Sequence, residues 1–82
     1  MRPEYFNDCS RRIEDALKAG EISDRQAKIL RRDLQSKEEQ KQKLDQDFVA
    51  KKIEPKLYNE WDSNIRTDVS YIRSRVDDYA MD

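Results

Sequence analysis

Apolar residues recur along the chain at spacings of three and four, which is the period of an amphipathic α-helix. The spacing predicts a first helix over about residues 3–19 and a third helix over about residues 56–79. The third helix has the most continuous apolar stripe in the chain. The stripe of the first helix is Phe6, Cys9, Ile13, Ala16 and Leu17, and that of the third is Leu57, Trp61, Ile65, Val69, Ile72, Val76 and Tyr79.

A second helix is predicted over about residues 24–53, and its apolar seam is interrupted. Residues 35–43 read Gln-Ser-Lys-Glu-Glu-Gln-Lys-Gln-Lys, nine in succession without a hydrophobic side chain. Such a segment cannot bury an apolar face, so it must be exposed, frayed or a bridge between two packing clusters. Acid-first pairs four residues apart support helix throughout it. The seam at three-four spacing is Ala27, Leu30, Leu34, Lys37, Lys41, Leu44, Phe48 and Lys51.

Local signals predict where the helices are joined. Gly20 is the only glycine in the chain and suits a left-handed residue at the end of the first helix. Ser23 and Gln26 then form an S-x-x-Q capping box that begins the second helix. A tight helix–turn–helix corner is therefore expected here. Pro55 disfavours helix in the residue before it, which predicts that the second helix ends near residue 53, with a kinked continuous helix as the alternative.

These elements predict an all-α protein with one helical domain over residues 1–82. The simplest fold is an antiparallel helical hairpin or three-helix bundle, with a long charged central helix and coiled-coil-like packing. In that arrangement Val69 and Ile72 would face the polar run of the second helix and lack apolar cover. A second copy that uses the same stripe would cover them. The sequence therefore favours a homodimer over a three-helix monomer.

The composition limits the kinds of partner that the chain is expected to bind. Charged residues make up 43% of the chain, but 17 basic and 18 acidic side chains leave a net charge of −1. Dedicated binders of nucleic acid or of anionic membranes usually have a basic excess, so both are disfavoured. No apolar run approaches the length of a transmembrane helix. Cys9 is the only cysteine and cannot form an intrachain disulfide, so a cytoplasmic protein is expected.

Residue types that carry catalysis are scarce. The chain has no histidine, which removes the commonest general base and metal ligand. One cysteine without histidine cannot form a Cys–His nucleophilic pair, and one glycine cannot form a phosphate-binding loop. We therefore expect a non-enzymatic protein without a cofactor or metal.

Recognition of another protein by helical surfaces is the function that remains. The sequence predicts a small regulator, adaptor or inhibitor that occupies a partner's surface, with aromatic side chains as anchors. Trp61 and Tyr58 also suit positions in or beside the core, whereas Tyr71 is exposed by its phase in the helix. The candidate partner-binding residues are Tyr58, Trp61, Ile65, Val69, Tyr71 and Ile72.

Binding of nucleic acid is the alternative hypothesis. Basic side chains cluster around the first corner and along the start of the second helix, where a recognition helix would begin. Acidic residues are interspersed among them, so no continuous basic stripe results. The candidate residues for this alternative are Arg25, Lys28, Arg31 and Arg32.

Overall fold

The computed structural model describes residues 3–81, and within them the chain forms three α-helices and no strand. Helix α1 spans Glu4–Lys18, α2 spans Asp24–Val49 and α3 spans Pro55–Met81. Each helix packs against the other two, and the molecule measures 45 × 18 × 18 Å. The prediction of an all-α fold with three packed helices is confirmed.

The corner between α1 and α2 has the predicted local structure. Gly20 adopts a φ of 75°, and the amides of Gly20 and Glu21 donate to the carbonyl oxygens of Leu17 and Ala16 at 3.1 and 2.9 Å. This pair of bonds is a Schellman motif, in which a left-handed residue ends the helix. Ser23 and Gln26 exchange the two hydrogen bonds of the capping box, at 2.9 and 3.1 Å.

The second corner differs from the prediction. Helix α2 ends at Val49, four residues earlier than expected, and α3 begins at Pro55 itself. The left-handed residue here is Lys51, with a φ of 61°, and the amide of Lys52 donates to the carbonyl oxygen of Asp47 at 2.9 Å. Proline suits the first turn of a helix because the missing N–H has no partner there. Pro55 therefore begins α3, and residues 50–54 reverse the direction of the chain between α2 and α3.

The core lies where all three helices overlap. Contacts between α2 and α3 run in reversed order, since Asp33 pairs with Arg75 whereas Lys41 pairs with Asp62. Contacts between α1 and α3 run in the same order along both helices. The buried apolar residues are Phe6, Cys9, Ile13, Ala16, Ile22, Ala27, Leu30, Leu34, Leu44, Ile65, Val69, Ile72 and Val76.

Helix α1 covers Val69, one of the two α3 residues that the sequence left without cover. Val69 and Ile72 are buried within the single chain, and the Cys9 Sγ lies 3.8 Å from the carbonyl oxygen of Val69. The expectation that these two residues need a second copy to bury them is wrong. The stripe of α1 supplies part of the apolar surface that the polar run of α2 lacks.

Candidate protein-interaction groove

Two adjoining depressions run along one side of the α2–α3 pair, and together they are called here the α2–α3 groove. One has a volume of about 430 Å³ and the other about 300 Å³, and Asp68 lines both. Every lining residue belongs to α2 or α3, and α1 packs on the other side of this pair. The lining residues are Asp33, Ser36, Lys37, Gln40, Lys43, Leu44 and Asp47 on α2, and Trp61, Asn64, Ile65, Asp68, Tyr71, Ile72 and Arg75 on α3.

Helical periodicity brings these side chains to one face. On α3 the groove residues 61, 64, 68, 71 and 75 follow one another at three and four residues, as do 33, 36 or 37, 40, 44 and 47 on α2. Side chains at that spacing point to the same side of a helix. Two parallel stripes of this kind form the walls of a groove into which a further helix can pack.

The groove combines exposed aromatic rings with an apolar floor. Trp61 is 44% exposed and Tyr71 is 69% exposed, whereas Leu44, Ile65 and Ile72 beneath them are buried. Leu57, one turn before Trp61, is 38% exposed. Large aromatic side chains held beside a depression are the usual anchors of protein–protein interfaces.

Ion pairs between α2 and α3 fix the walls of the groove. The Arg75 guanidinium lies 2.7 Å from the Asp33 carboxylate, and the Lys37 ammonium lies 3.0 Å from the Asp68 carboxylate. Arg75 also donates to the Tyr79 hydroxyl at 3.1 Å. The hydrogen bonds to Tyr79 and to Asp33 raise the pKa of Arg75 above its ordinary value. The two pairs hold α2 and α3 in one register at this end of the groove.

The structure brings four of the six predicted partner-binding residues to the groove. Trp61 and Tyr71 stand on its rim, and Ile65 and Ile72 reach it only as buried floor. Val69 packs towards α1 and is fully covered, so it is not on this surface. Tyr58 contacts Lys41 and Asp45 and lines neither part of the groove.

Tyr58 belongs to a polar cluster that the sequence analysis did not identify. The Lys41 ammonium lies 2.8 Å from the Tyr58 hydroxyl, 2.5 Å from Asp62 and 3.0 Å from Asp45, and Tyr58 donates to Asp45 at 2.7 Å. The Tyr58 ring also stacks on Phe48, with centroids 4.3 Å apart. The sequence signal for this cluster was the position of Lys41, a charged residue within the seam of α2.

Hydrogen bonding compensates for the burial of Lys41. Burial lowers the pKa of this ammonium, but the hydrogen bonds from Lys41 to Asp62, Tyr58 and Asp45 outweigh it and raise the pKa above the ordinary lysine value. The Lys41 ammonium also lowers the pKa of Tyr58, yet the bond to Asp45 and burial outweigh that effect and the pKa is raised. At neutral pH both groups therefore keep their protons, and the cluster is a structural bridge between α2 and α3.

The chain has been compared with family models, curated proteins and solved structures. None of the three comparisons gives a match.

A basic surface lies elsewhere, between α1 and α2. It is a depression of about 470 Å³ lined by Lys28, Arg31 and Arg32 with Asp24 and Leu17. Among residues 3–81 these three cations have no ion-pair partner. Arg25, the fourth candidate for nucleic-acid contact, is exposed on the first turn of α2 but outside this lining.

Within residues 3–81 no helix has the length and apolar character to cross a membrane. In the same range no group of three or more acidic or cysteine side chains is arranged to hold a metal ion.

Proposed function

We propose that this chain is a small non-enzymatic protein-binding module whose contact surface is the α2–α3 groove. It acts as a regulator, adaptor or inhibitor by occupying the surface of another protein. The observation that carries the proposal is the pairing of exposed Trp61 and Tyr71 with the buried apolar floor of Leu44, Ile65 and Ile72. A partner that covered both rings would remove apolar surface from water and gain free energy.

The shape of the groove favours an α-helix as its ligand. The lining of α2 extends from Asp33 to Asp47, which at the standard helical rise is about 21 Å, or about four turns. The reversed order of the contacts between α2 and α3 supports an antiparallel pair, and a third or fourth helix packs readily along such a pair. The ligand would present anchors at helical spacing to Trp61 and Tyr71.

The charges of the groove favour a protein over a polyanion. The six charged lining residues are three acids and three bases, and two acid–base pairs already neutralise each other across the groove. A surface without excess charge offers no attraction to a phosphate backbone. A ligand helix of mixed charge fits this lining.

Site-specific photo-crosslinking in cells tests the proposal. A photoreactive amino acid is placed at Tyr71, and the matched control carries it at Arg11, which is exposed on α1. The expected result is a discrete protein adduct from position 71, lost when Trp61→Ala is added, and no such adduct from position 11. The adduct is identified by mass spectrometry and its affinity is then measured with purified proteins. Equal adducts from both positions would contradict the proposal.

Nucleic-acid binding is a second candidate, favoured by the unpaired cations Lys28, Arg31 and Arg32 around one depression. Its test is the affinity for a mixed-sequence duplex measured across a salt series. If this function is correct, binding weakens steeply with salt and the double variant Arg31→Glu/Arg32→Glu abolishes it. Binding that depends on Trp61 and Tyr71 but not on these arginines favours the protein-binding function.

The compartment and the oligomeric state complete the proposal. A cytoplasmic location is supported by the single cysteine, which cannot form an intrachain disulfide. Self-association into a homodimer is supported by the α2–α3 groove, since a second copy presents helical surfaces of the kind the groove fits.

A further inference from the structure

We propose that the occupant of the α2–α3 groove is a second copy of this chain, held with its two-fold axis parallel to the long axis of the molecule. In this arrangement α2 of each copy packs on α3 of the other, and the two grooves close on each other as a four-helix core. The inference rests on the proposed function, because it names the partner of the same surface. Charge complementarity is the argument for it.

Contacts within one chain show which residues of α2 and α3 lie near the same height. Asp33 pairs with Arg75, Lys37 with Asp68, Lys41 with Asp62, and Asp45 with Tyr58, so the members of each pair lie within roughly one helical turn of each other in height. A rotation about an axis parallel to the helices keeps every residue at its height. Each residue of α2 therefore meets, on α3 of the second copy, the residue that lies near its height in its own chain.

The charges at these heights are opposite. Asp33 would meet Arg75 of the second copy, and Lys37 would meet Asp68 of the second copy. Both pairs already exist within the chain, so the dimer converts each into a ring of four alternating charges. Opposite charges at matching positions set the orientation of helices that pack together.

Lys43 and Glu60 provide an independent contribution. Their positions lie midway between the Lys41–Asp62 and Asp45–Tyr58 contacts, so they too lie within roughly one helical turn of each other in height. Both are exposed, and neither has an ion-pair partner among residues 3–81. Within one chain they stand on the outer walls of α2 and α3. In the proposed dimer Lys43 of each copy comes beside Glu60 of the other.

The other two-fold arrangement is disfavoured by the same charges. An axis perpendicular to the helices and centred on the groove would pack α2 on α2 of the second copy in reversed order. Asp33 would then oppose Asp47, and Lys37 would oppose Lys43. Like charges placed opposite each other in helix packing are destabilising. The parallel axis is therefore the arrangement that the sequence of charges selects.

Apolar contacts supply affinity in this arrangement. Trp61 and Leu44 line the same part of the groove, so Trp61 of each copy would cover the Leu44 region of the other. The molecule is 45 Å long and 18 Å wide, so contact along the α2–α3 face is on the scale of a standard protein interface, to which each partner contributes about 800 Å².

Charge reversal tests the orientation. Sedimentation equilibrium of the full chain is expected to show a dimer that Lys43→Glu or Glu60→Lys weakens about tenfold, because each change makes two pairs repulsive. The double variant Lys43→Glu/Glu60→Lys restores the pairs with exchanged sign and should return the wild-type affinity. The matched control is Lys28→Glu, which changes an exposed cation outside the groove and should leave the dimer unchanged.

Cysteine pairing tests the geometry directly. Cys9 is fully buried, so wild-type chain gives little background. An oxidised mixture of Lys43→Cys and Glu60→Cys chains should form a disulfide between copies, whereas neither variant alone should do so, because a disulfide requires β-carbons about 4 Å apart. Efficient pairing of Gln40→Cys with itself would instead show the perpendicular axis and overturn the proposal.

The result also separates this inference from the proposed function. A monomer at every concentration overturns the dimer, and a Tyr71 adduct with a different protein then shows that the groove binds a foreign helix. A monomer that gives no groove-dependent adduct overturns both. A dimer that is insensitive to both Lys43→Glu and Glu60→Lys also overturns the inference, because its contacts would lie on another surface.

Discussion

The two ends of the molecule are built differently. At the end that contains Gly20, three helices meet, and Ile13, Leu30 and Val76 are fully buried between them. At the end that contains Lys51 only α2 and α3 are present, and apolar side chains there stay partly exposed. The cause is helix length: α1 has 15 residues and α2 has 26, about 22 Å against about 39 Å. A short helix leaves part of a long pair uncovered.

The polar cluster around Lys41 marks the boundary between these ends. Helix α1 begins near this height, since the Arg66 guanidinium lies 5.3 Å from the centre of the Tyr5 ring. Burial, and to a lesser extent the negative charge of Asp62, raises the pKa of Tyr5. Beyond the boundary α2 and α3 are held by the Phe48–Tyr58 stack and by the cluster itself. Fully buried apolar contacts are therefore concentrated at one end, and partner-accessible apolar surface extends from the other.

Matched leucine substitutions at the two ends should differ most in the free energy of unfolding that they cost. Leu30→Ala removes a fully buried side chain and should lower the free energy of unfolding by about 3 kcal/mol. Leu57→Ala truncates a side chain that is already partly in water and should cost less than about 1 kcal/mol. Urea denaturation of both variants measures the difference, and equal losses would contradict the distinction between the ends.

Lys41 should give the next largest effect. Lys41→Met keeps the length of the side chain but leaves Asp45 without its cation and Asp62 with only Arg66 at 4.0 Å, which should cost about 2 kcal/mol. Lys37→Met is the matched control, because its partner Asp68 is half exposed and an exposed ion pair is worth under about 1 kcal/mol. A Lys41 variant as stable as the Lys37 variant would show that the cluster does not hold the boundary.

The same cluster predicts the response to pH. The pKa of Lys41 is raised in the folded chain, so its contribution is complete below the ordinary lysine value of about 10.4 and is lost as pH rises above it. Tyr58 also has a raised pKa, so it too holds its proton more tightly in the folded chain and acts in the same direction. Denaturation at pH 7 and above pH 10.4 should therefore show a loss in wild type that is smaller in Lys41→Met.

Substitutions of the left-handed residues at the two corners should change the free energy of unfolding by about 1 kcal/mol, with opposite signs. Lys51 occupies a left-handed conformation that costs a side-chain-bearing residue about 1 kcal/mol, so Lys51→Gly should raise the free energy of unfolding by roughly that amount. Gly20→Ala should lower it by a similar amount through φ alone, because an added Cβ meets no atom within 4 Å. Thermal denaturation measures both, and destabilisation by Lys51→Gly would contradict the strain assigned to this corner.

The two corners also show which parts of the structure could be predicted from the sequence. The Gly20 corner was predictable because a lone glycine and a capping box are local signals that need no tertiary context. The end of α2 was not, because Pro55 restricts only the residue before it, and a left-handed lysine has no sequence signature. The cover over Val69 was missed for a different reason. It depends on where α1 packs along α3, which periodicity alone does not determine.

The candidate site divides in the same way. Tyr71 was predicted to be exposed from its helical phase, whereas Trp61 was a candidate anchor that also suited the core, and the structure places both on the rim of the groove. Tyr58 and Val69 lie on the same helix, but Tyr58 contacts the Lys41 cluster and Val69 lies against α1. One helix has several faces once two neighbours are packed on it. Assigning a residue to a groove or to the core therefore required the positions of both neighbours.

Tyr71→Ala should have the smallest effect on stability and the clearest effect on binding. The ring is 69% exposed, so its removal should change the free energy of unfolding by less than about 0.5 kcal/mol. Ile72→Ala, at the next position but in the floor, should cost about 2 to 4 kcal/mol. If sedimentation shows that Tyr71→Ala weakens self-association while denaturation shows unchanged stability, the rim of the groove serves contact and not folding. Loss of stability without any change in association would assign Tyr71 to the core side of the comparison instead.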